Sequence, residues 1–202
     1  MNSQTIKRAV GLTGGIATGK SQALQLFENA GWSVLSADII VNDLLKSDID
    51  VQDKLVGRWG KRILTGCGSI DKGVIGQIVF DSSSERMWLE SLLHPIIRSK
   101  WISFVLSCPS DRCMIELPLL FENNLQSNFN CTISMFAPLS LMLARLRHRG
   151  LSDLESQQRV TAQMTVYQKA ELADYVLTSS GEINFLEEQI LVLNDKLLKD
   201  WI

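Results

Sequence analysis

Gly14-Gly15-Ile16-Ala17-Thr18-Gly19-Lys20-Ser21 is the segment that most restricts what this 202-residue chain can become. It fits G-x-x-x-x-G-K-[ST], a pattern whose glycines let the backbone wrap closely around an anion before a helix starts. Its flanks agree. Residues 9–13 form a short apolar strand, and Ala23, Leu26, Phe27 and Ala30 then recur at helical spacing over 21–30, with Gly31 as the stop. At this chain's own Gly, Lys, Ser and Thr frequencies, the four fixed positions match by accident in roughly 0.6% of such chains, before any flank is required. Backbone N–H groups and the helix N-terminus present partial positive charge to a phosphate. Gly14, Ala17, Thr18, Gly19, Lys20, Ser21 and Gln22 are therefore the candidate nucleotide-binding residues. Lys20 reaches the outer phosphates, and the Ser21 hydroxyl is the expected magnesium ligand. A glycine-rich turn that binds nothing is the competing reading.

Composition narrows the class. Twenty Lys and Arg against 22 Asp and Glu give a net charge of −2, so no basic field points to nucleic acid. The chain has no Asn-Lys pair, which removes the guanine-selecting N-K-x-D element of GTPases. No apolar run of about 18 residues suggests a membrane span. The four cysteines, Cys67, Cys108, Cys113 and Cys131, include no C-x-x-C, and His94 and His148 are the only histidines. A reduced cytoplasmic setting is expected rather than a disulfide framework or a structural zinc site. Lys7-Arg8 and the apolar residues after it run directly into the glycine loop, so they read as the first strand and not as a signal peptide.

Along the chain, further strands are expected over 32–37, 113–117, 131–137 and Tyr175–Thr178. Helices are expected over 39–45, 140–149 and 154–164, and over 84–106 with a break or bend at Pro95. Ile183, Leu186, Ile190, Leu193 and Leu197 mark one stripe of a closing helix, whereas the glycine-rich stretch 57–73 reads as loop. Strands alternating with helices imply an α/β domain with a parallel sheet of about five strands. A small kinase is the class that remains. Asp38, at the end of the second strand, is then a candidate general base for an acceptor hydroxyl, or else a helix N-cap. Glu116, ending the third strand, either holds magnesium through water or makes a structural hydrogen bond. Arg145, Arg147 and Arg149 either meet phosphoryl oxygens or form a solvated basic face, and helical spacing ranks Arg145 and Arg149 first.

VGLTGGIATGKS, GWSVLSAD, LHPIIR and IELPLLFE, in this order and followed by the Arg145–Arg149 cluster, the Arg159…Gln163 helix and Ala173-Asp174, resemble the dephospho-CoA kinase family over about residues 6–190. The resemblance implies transfer of the γ-phosphoryl group of ATP, with Mg2+, to the ribose 3′-hydroxyl of dephospho-CoA, the last step of coenzyme A synthesis. It implies a nucleotide core (about 6–38, 111–140 and 173–202), a helical acceptor-binding insertion (about 39–108) and a lid (about 145–165), in a monomer or weak homo-oligomer. It assigns Lys20, Asp38, Arg145 and Arg149 to catalysis, and Asp38, His94, Arg98 and Glu116 to the acceptor side. His94 before Pro95 is otherwise a helix-bend histidine.

The chain departs from the family pattern at several positions. Ser36 replaces the first acid of D-A-D, Asn42 replaces an arginine, Lys72 replaces the arginine of an acid–arginine pair, and Ser179-Ser180 replaces an asparagine-rich turn. These departures leave two alternatives: a related kinase with another hydroxyl acceptor, or a catalytically weak nucleotide-binding regulatory paralogue.

Overall fold

The computed structural model describes residues 8–110 and 112–200. Lys7 and the expected start of the core at residue 6 lie outside them. The chain divides into two compact units. One holds the described residues up to Ser36 together with those from Val105 on; the other is Ala37–Phe104.

The first unit is a five-stranded parallel sheet, as the strand–helix alternation requires. Its strands are β1 (Arg8–Gly14), β2 (Ser33–Ser36), β3 (Arg112–Glu116), β4 (Cys131–Phe136) and β5 (Tyr175–Thr178), in the spatial order β2-β3-β1-β4-β5. Every neighbouring pair runs parallel. The carboxyl ends of the strands therefore share one edge, where open α/β sheets place their ligands, and β1 is central. In register, Leu12 of β1 and Ser36 of β2 flank Glu116 of β3, and Gly14 lies beside Met135 of β4.

Alternation along the strands sends Val10, Leu12, Met114, Ile133 and Met135 to one face. There they pack with Ala23 and Phe27 of α1 (Lys20–Asn29) and with Leu186, Ile190, Leu193 and Leu197 of α9 (Ile183–Asp200). The expected stripe on α9 is buried except for its first member, Ile183, which stays exposed at the helix start. Trp32 Nε1 donates to Asn194 Oδ1 at 2.9 Å, which ties the residue before β2 to α9. The other face carries α8 (Val166–Leu172), packed on β4 and β1. α6 (Leu139–His148) and α7 (Asp153–Thr161) precede α8 in the chain.

The second unit is helical: α2 (Ala37–Ser47), α3 (Ile49–Trp59), α4 (Lys72–Asp81) and the first part of α5 (Ser83–Ser107). Much of stretch 57–73, expected as loop, is ordered. Gly57 closes into α3, a 3-10 turn covers Gly60–Ile63, and Leu64 pairs with Ile70 across a tight turn. Gly73 and Gly76 belong to α4. Glycine content misled the reading because the capping residues decide here. Asp48 accepts from Val51 N–H, and Asp71 accepts from Gly73 and Val74 N–H, starting α3 and α4. α5 runs through Pro95 as one helix, without the expected break. The proline forfeits one local bond, while Leu93 and Trp101 are buried on either side of it. Arg58 forms a paired contact with Glu85 (3.0 and 2.8 Å), and Trp59 Nε1 donates to the same carboxylate at 2.7 Å.

The four cysteines are free thiols, three of them buried. Burial, with Asp174 adding repulsion, pushes the Cys131 thiol up to about 12. Cys67 is exposed in the 65–69 turn, and hydrogen bonding from Thr65 and then Ser69 holds its thiol below the ordinary value. Ellman's reagent at neutral pH is therefore expected to modify Cys67 first on the native chain, with Cys67→Ser removing the fast phase. A fast phase that persists in Cys67→Ser would contradict this assignment.

Candidate nucleotide site

The loop between β1 and α1 owes its shape to three residues with positive φ. Gly14 (φ 142°) and Gly19 (φ 86°) are glycines for that reason, and a Cβ on Gly14 would meet the Met135 carbonyl at 2.6 Å. Ala17 (φ 61°) is the exception. A non-glycine residue there costs about 1–3 kcal/mol and persists only where its surroundings enforce it.

Those surroundings are visible. Arg145 Nη1 of α6 donates to the Ala17 carbonyl at 3.0 Å and to Ser179 Oγ at 2.8 Å, while its Nη2 donates to the Ser179 carbonyl at 2.7 Å. Ser179 Oγ in turn donates to the Thr18 carbonyl at 2.8 Å. One guanidinium thus braces the loop against the residue that follows β5. Burial lowers the Arg145 pKa from its ordinary value, and the like charge of Arg149 adds to this. Inside the loop, Thr18 Oγ1 donates to the Gly15 carbonyl at 2.8 Å. Lys20 Nζ donates to the Gly14 and Gly15 carbonyls at 3.2 and 2.9 Å. Ser21 and Gln22 follow in the first turn of α1, exposed.

The three arginines at the C-terminal end of α6, of which helical spacing ranks Arg145 and Arg149 ahead of Arg147, have separate surroundings. Arg145 is half-buried against the loop, whereas Arg147 points to solvent and pairs with Asp153. Arg149 is exposed at the C-cap of α6. Glu116 is buried at the end of β3.

In the helical unit, Asp38 lies in the first turn of α2, exposed, because that helix starts at Ala37. It therefore does not end β2, and it is not the N-cap of a helix beginning at Ile39. His94 (half-buried) and Arg98 (exposed) are one turn apart on α5 and share a face. Two of the departures from the family pattern meet here: Lys72 Nζ donates to Asn42 Oδ1 at 2.5 Å.

Sequence reasoning missed a polar layer beneath the loop. Lys169 of α8 is fully buried, forms an ion pair with Glu122 Oε1 at 2.8 Å and donates to the Pro118 carbonyl at 2.5 Å. Burial lowers the Lys169 pKa, and Glu122 opposes that shift. Glu122 is the last residue of the quoted IELPLLFE motif, but nothing in the sequence linked it to Lys169.

A parallel five-stranded sheet with this loop at the tip of its central strand defines a P-loop kinase. The family model for dephospho-CoA kinase matches residues 8–184. A dephospho-CoA kinase of Carboxydothermus hydrogenoformans is 36% identical over 197 residues, covering 95% of this chain and 96% of its own. One from Arabidopsis thaliana is 35% identical over 186 residues, covering 90% and 80%. A Thermus thermophilus crystal structure superposes with a TM-score of 0.79 at 26% identity, covering 94% of this chain and 97% of that one. A shikimate kinase from Acinetobacter baumannii shares the fold at a TM-score of 0.56 and 11% identity, over 96% and 95% of the two chains. The chain belongs to the dephospho-CoA kinase family.

The brace makes a prediction. Arg145→Ala is expected to weaken ATP binding by about tenfold or more, the scale of one lost charge-assisted hydrogen bond. Arg147→Ala should be nearly silent, because its ion pair with Asp153 is solvent-exposed. Titration calorimetry of both variants checks this, and equal effects would contradict it.

Proposed function

We propose that this chain transfers the γ-phosphoryl group of ATP to the ribose 3′-hydroxyl of dephospho-CoA, giving coenzyme A and ADP. The observation that carries the reading is the 14–21 loop, folded as a phosphate cradle in a chain whose family match spans residues 8–184. Gly14, Ala17, Thr18, Gly19, Lys20, Ser21 and Gln22 surround the nucleotide phosphates. On nucleotide binding, Lys20 exchanges its two loop carbonyls for the outer phosphates.

Asp38 takes the proton of the attacking hydroxyl, and His94, Arg98 and Glu116 serve the acceptor side. Arg149, together with Arg145 while it keeps its brace on Ala17 and Ser179, answers the negative charge that develops on the transferring group. Bound with the nucleotide, Mg2+ neutralises phosphate charge. The donor chemistry fits such an ion: the Ser21 hydroxyl is a hard oxygen ligand. No cluster of three or more His, Cys, Asp or Glu residues suited to a metal occurs among the described residues. Magnesium characteristically relies on substrate phosphates and water rather than on a dedicated protein cage. No helix of the described residues is long and apolar enough to cross a membrane. We place the enzyme in the cytoplasm as a monomer or weak homo-oligomer with small-molecule partners.

Coupled ADP production with dephospho-CoA, pantetheine derivatives, nucleosides and shikimate tests the acceptor. Dephospho-CoA should dominate, and an equal or greater rate with another acceptor would overturn the reading. Asp38→Asn should lower kcat by roughly 10²-fold, the scale of a lost general base, with ATP affinity retained. Parallel loss of both would place Asp38 in folding or nucleotide binding. Lys20→Ala retaining full turnover at saturating ATP would remove the loop from the chemistry.

A further inference from the structure

The short link between α7 and α8 lies directly on the phosphate loop. Gln163 Oε1 accepts the Ile16 N–H at 3.1 Å, so a side chain distant in sequence engages one of the loop's own backbone donors. The next residue is pinned independently, since Met164 N–H donates to Glu122 Oε1 at 3.0 Å. That oxygen also holds Lys169, whose ammonium donates to the Pro118 carbonyl. The same carbonyl accepts Thr13 Oγ1 at 3.2 Å, one residue before the loop begins. Val166, at the start of α8, packs so closely that a Cβ on Gly15 would meet its Cγ1 at 2.6 Å. The link is therefore fixed to the loop through Ile16, through Glu122 and through the bare face of Gly15.

A carboxamide carries its acceptor and its donors on one carbon. With Oε1 anchored on Ile16, the Nε2 donors of Gln163 sit on the same carbon, next to the third residue of the motif. We propose that Gln163 is a further catalytic residue of this kinase. Its Oε1 sets the loop at Ile16 while its Nε2 donates to an oxygen of the outermost phosphate, so that it distinguishes a triphosphate from a diphosphate. This rests on the kinase reading above. It adds a neutral donor to the cationic groups already placed there, and a neutral donor stabilises developing charge without requiring a buried counter-ion.

Gln163→Glu separates this role from a structural one. The substitution is nearly isosteric and keeps an acceptor for Ile16 N–H, but it removes the donors and adds negative charge. Titration calorimetry with ADP and with the non-hydrolysable analogue AMP-PNP, thermal melting, and steady-state turnover are measured together. The expected result is ADP affinity within about twofold of the parent, AMP-PNP affinity lowered about tenfold or more, and kcat lowered by a similar factor, the scale of a lost charge-stabilising donor. Unchanged AMP-PNP affinity and kcat, or parallel loss of both nucleotides, would overturn the proposal. Gln163→Leu, which lacks acceptor and donors alike, provides the same ADP-to-AMP-PNP ratio should the Glu variant fold poorly. A ratio equal to the parent's there would also count against the proposal. The binding arm needs no acceptor. Failure of the parent enzyme to phosphorylate dephospho-CoA would therefore strike the kinase reading and leave the nucleotide discrimination by Gln163 to be judged on its own.

Discussion

The left-handed backbone at Ala17 is the constraint on which the site depends. The turn needs a left-handed residue there, and alanine does not adopt that conformation without help. The help comes from two distant segments, α6 and the residue after β5, joined through the Arg145 guanidinium and the Ser179 hydroxyl. The parallel sheet brings both to the carboxyl edge beside β1. Fold and site are therefore one arrangement: the strand order β2-β3-β1-β4-β5 puts β4 and β5 on the side from which the brace must come.

The polar layer under the loop follows a different logic. Burying Lys169 with Glu122 gives little net stability over an apolar pair, because both charges leave water. It does fix geometry. Glu122, Pro118 and Thr13 all belong to segments leaving β3 or ending β1, and the ion pair locks α8 to them. The ammonium has two fixed acceptors, Glu122 Oε1 and the Pro118 carbonyl, and Glu122 Oε1 also accepts from Met164 N–H in the segment preceding α8.

Much of this was legible in the sequence because local patterns carry it. The 14–21 motif, the apolar strands and the 3.6-residue stripe on α9 are short-range signals. What was not legible depends on contacts remote in sequence. Helical spacing sets Arg147 apart from Arg145 and Arg149, but only the packing of α6 shows Arg145 against the loop and Arg147 paired with Asp153. Glycines at 57 and 73 suggested loop where Asp48 and Asp71 cap helices. Asn42 and Lys72 read as two separate departures, the loss of one cation and the exchange of another. In the fold they are hydrogen-bonded to each other, so the two departures form one contact.

In the proposed reaction a phosphoryl group passes from ATP to one particular hydroxyl. Phosphorus NMR of the product formed from ATP and dephospho-CoA tests it most directly, because the ribose phosphate resonance reports which oxygen was modified. A single monophosphate ester at the 3′-oxygen, appearing in step with ADP, is the expected product. A 2′-ester, or ADP accumulating at the same rate without dephospho-CoA, would contradict it.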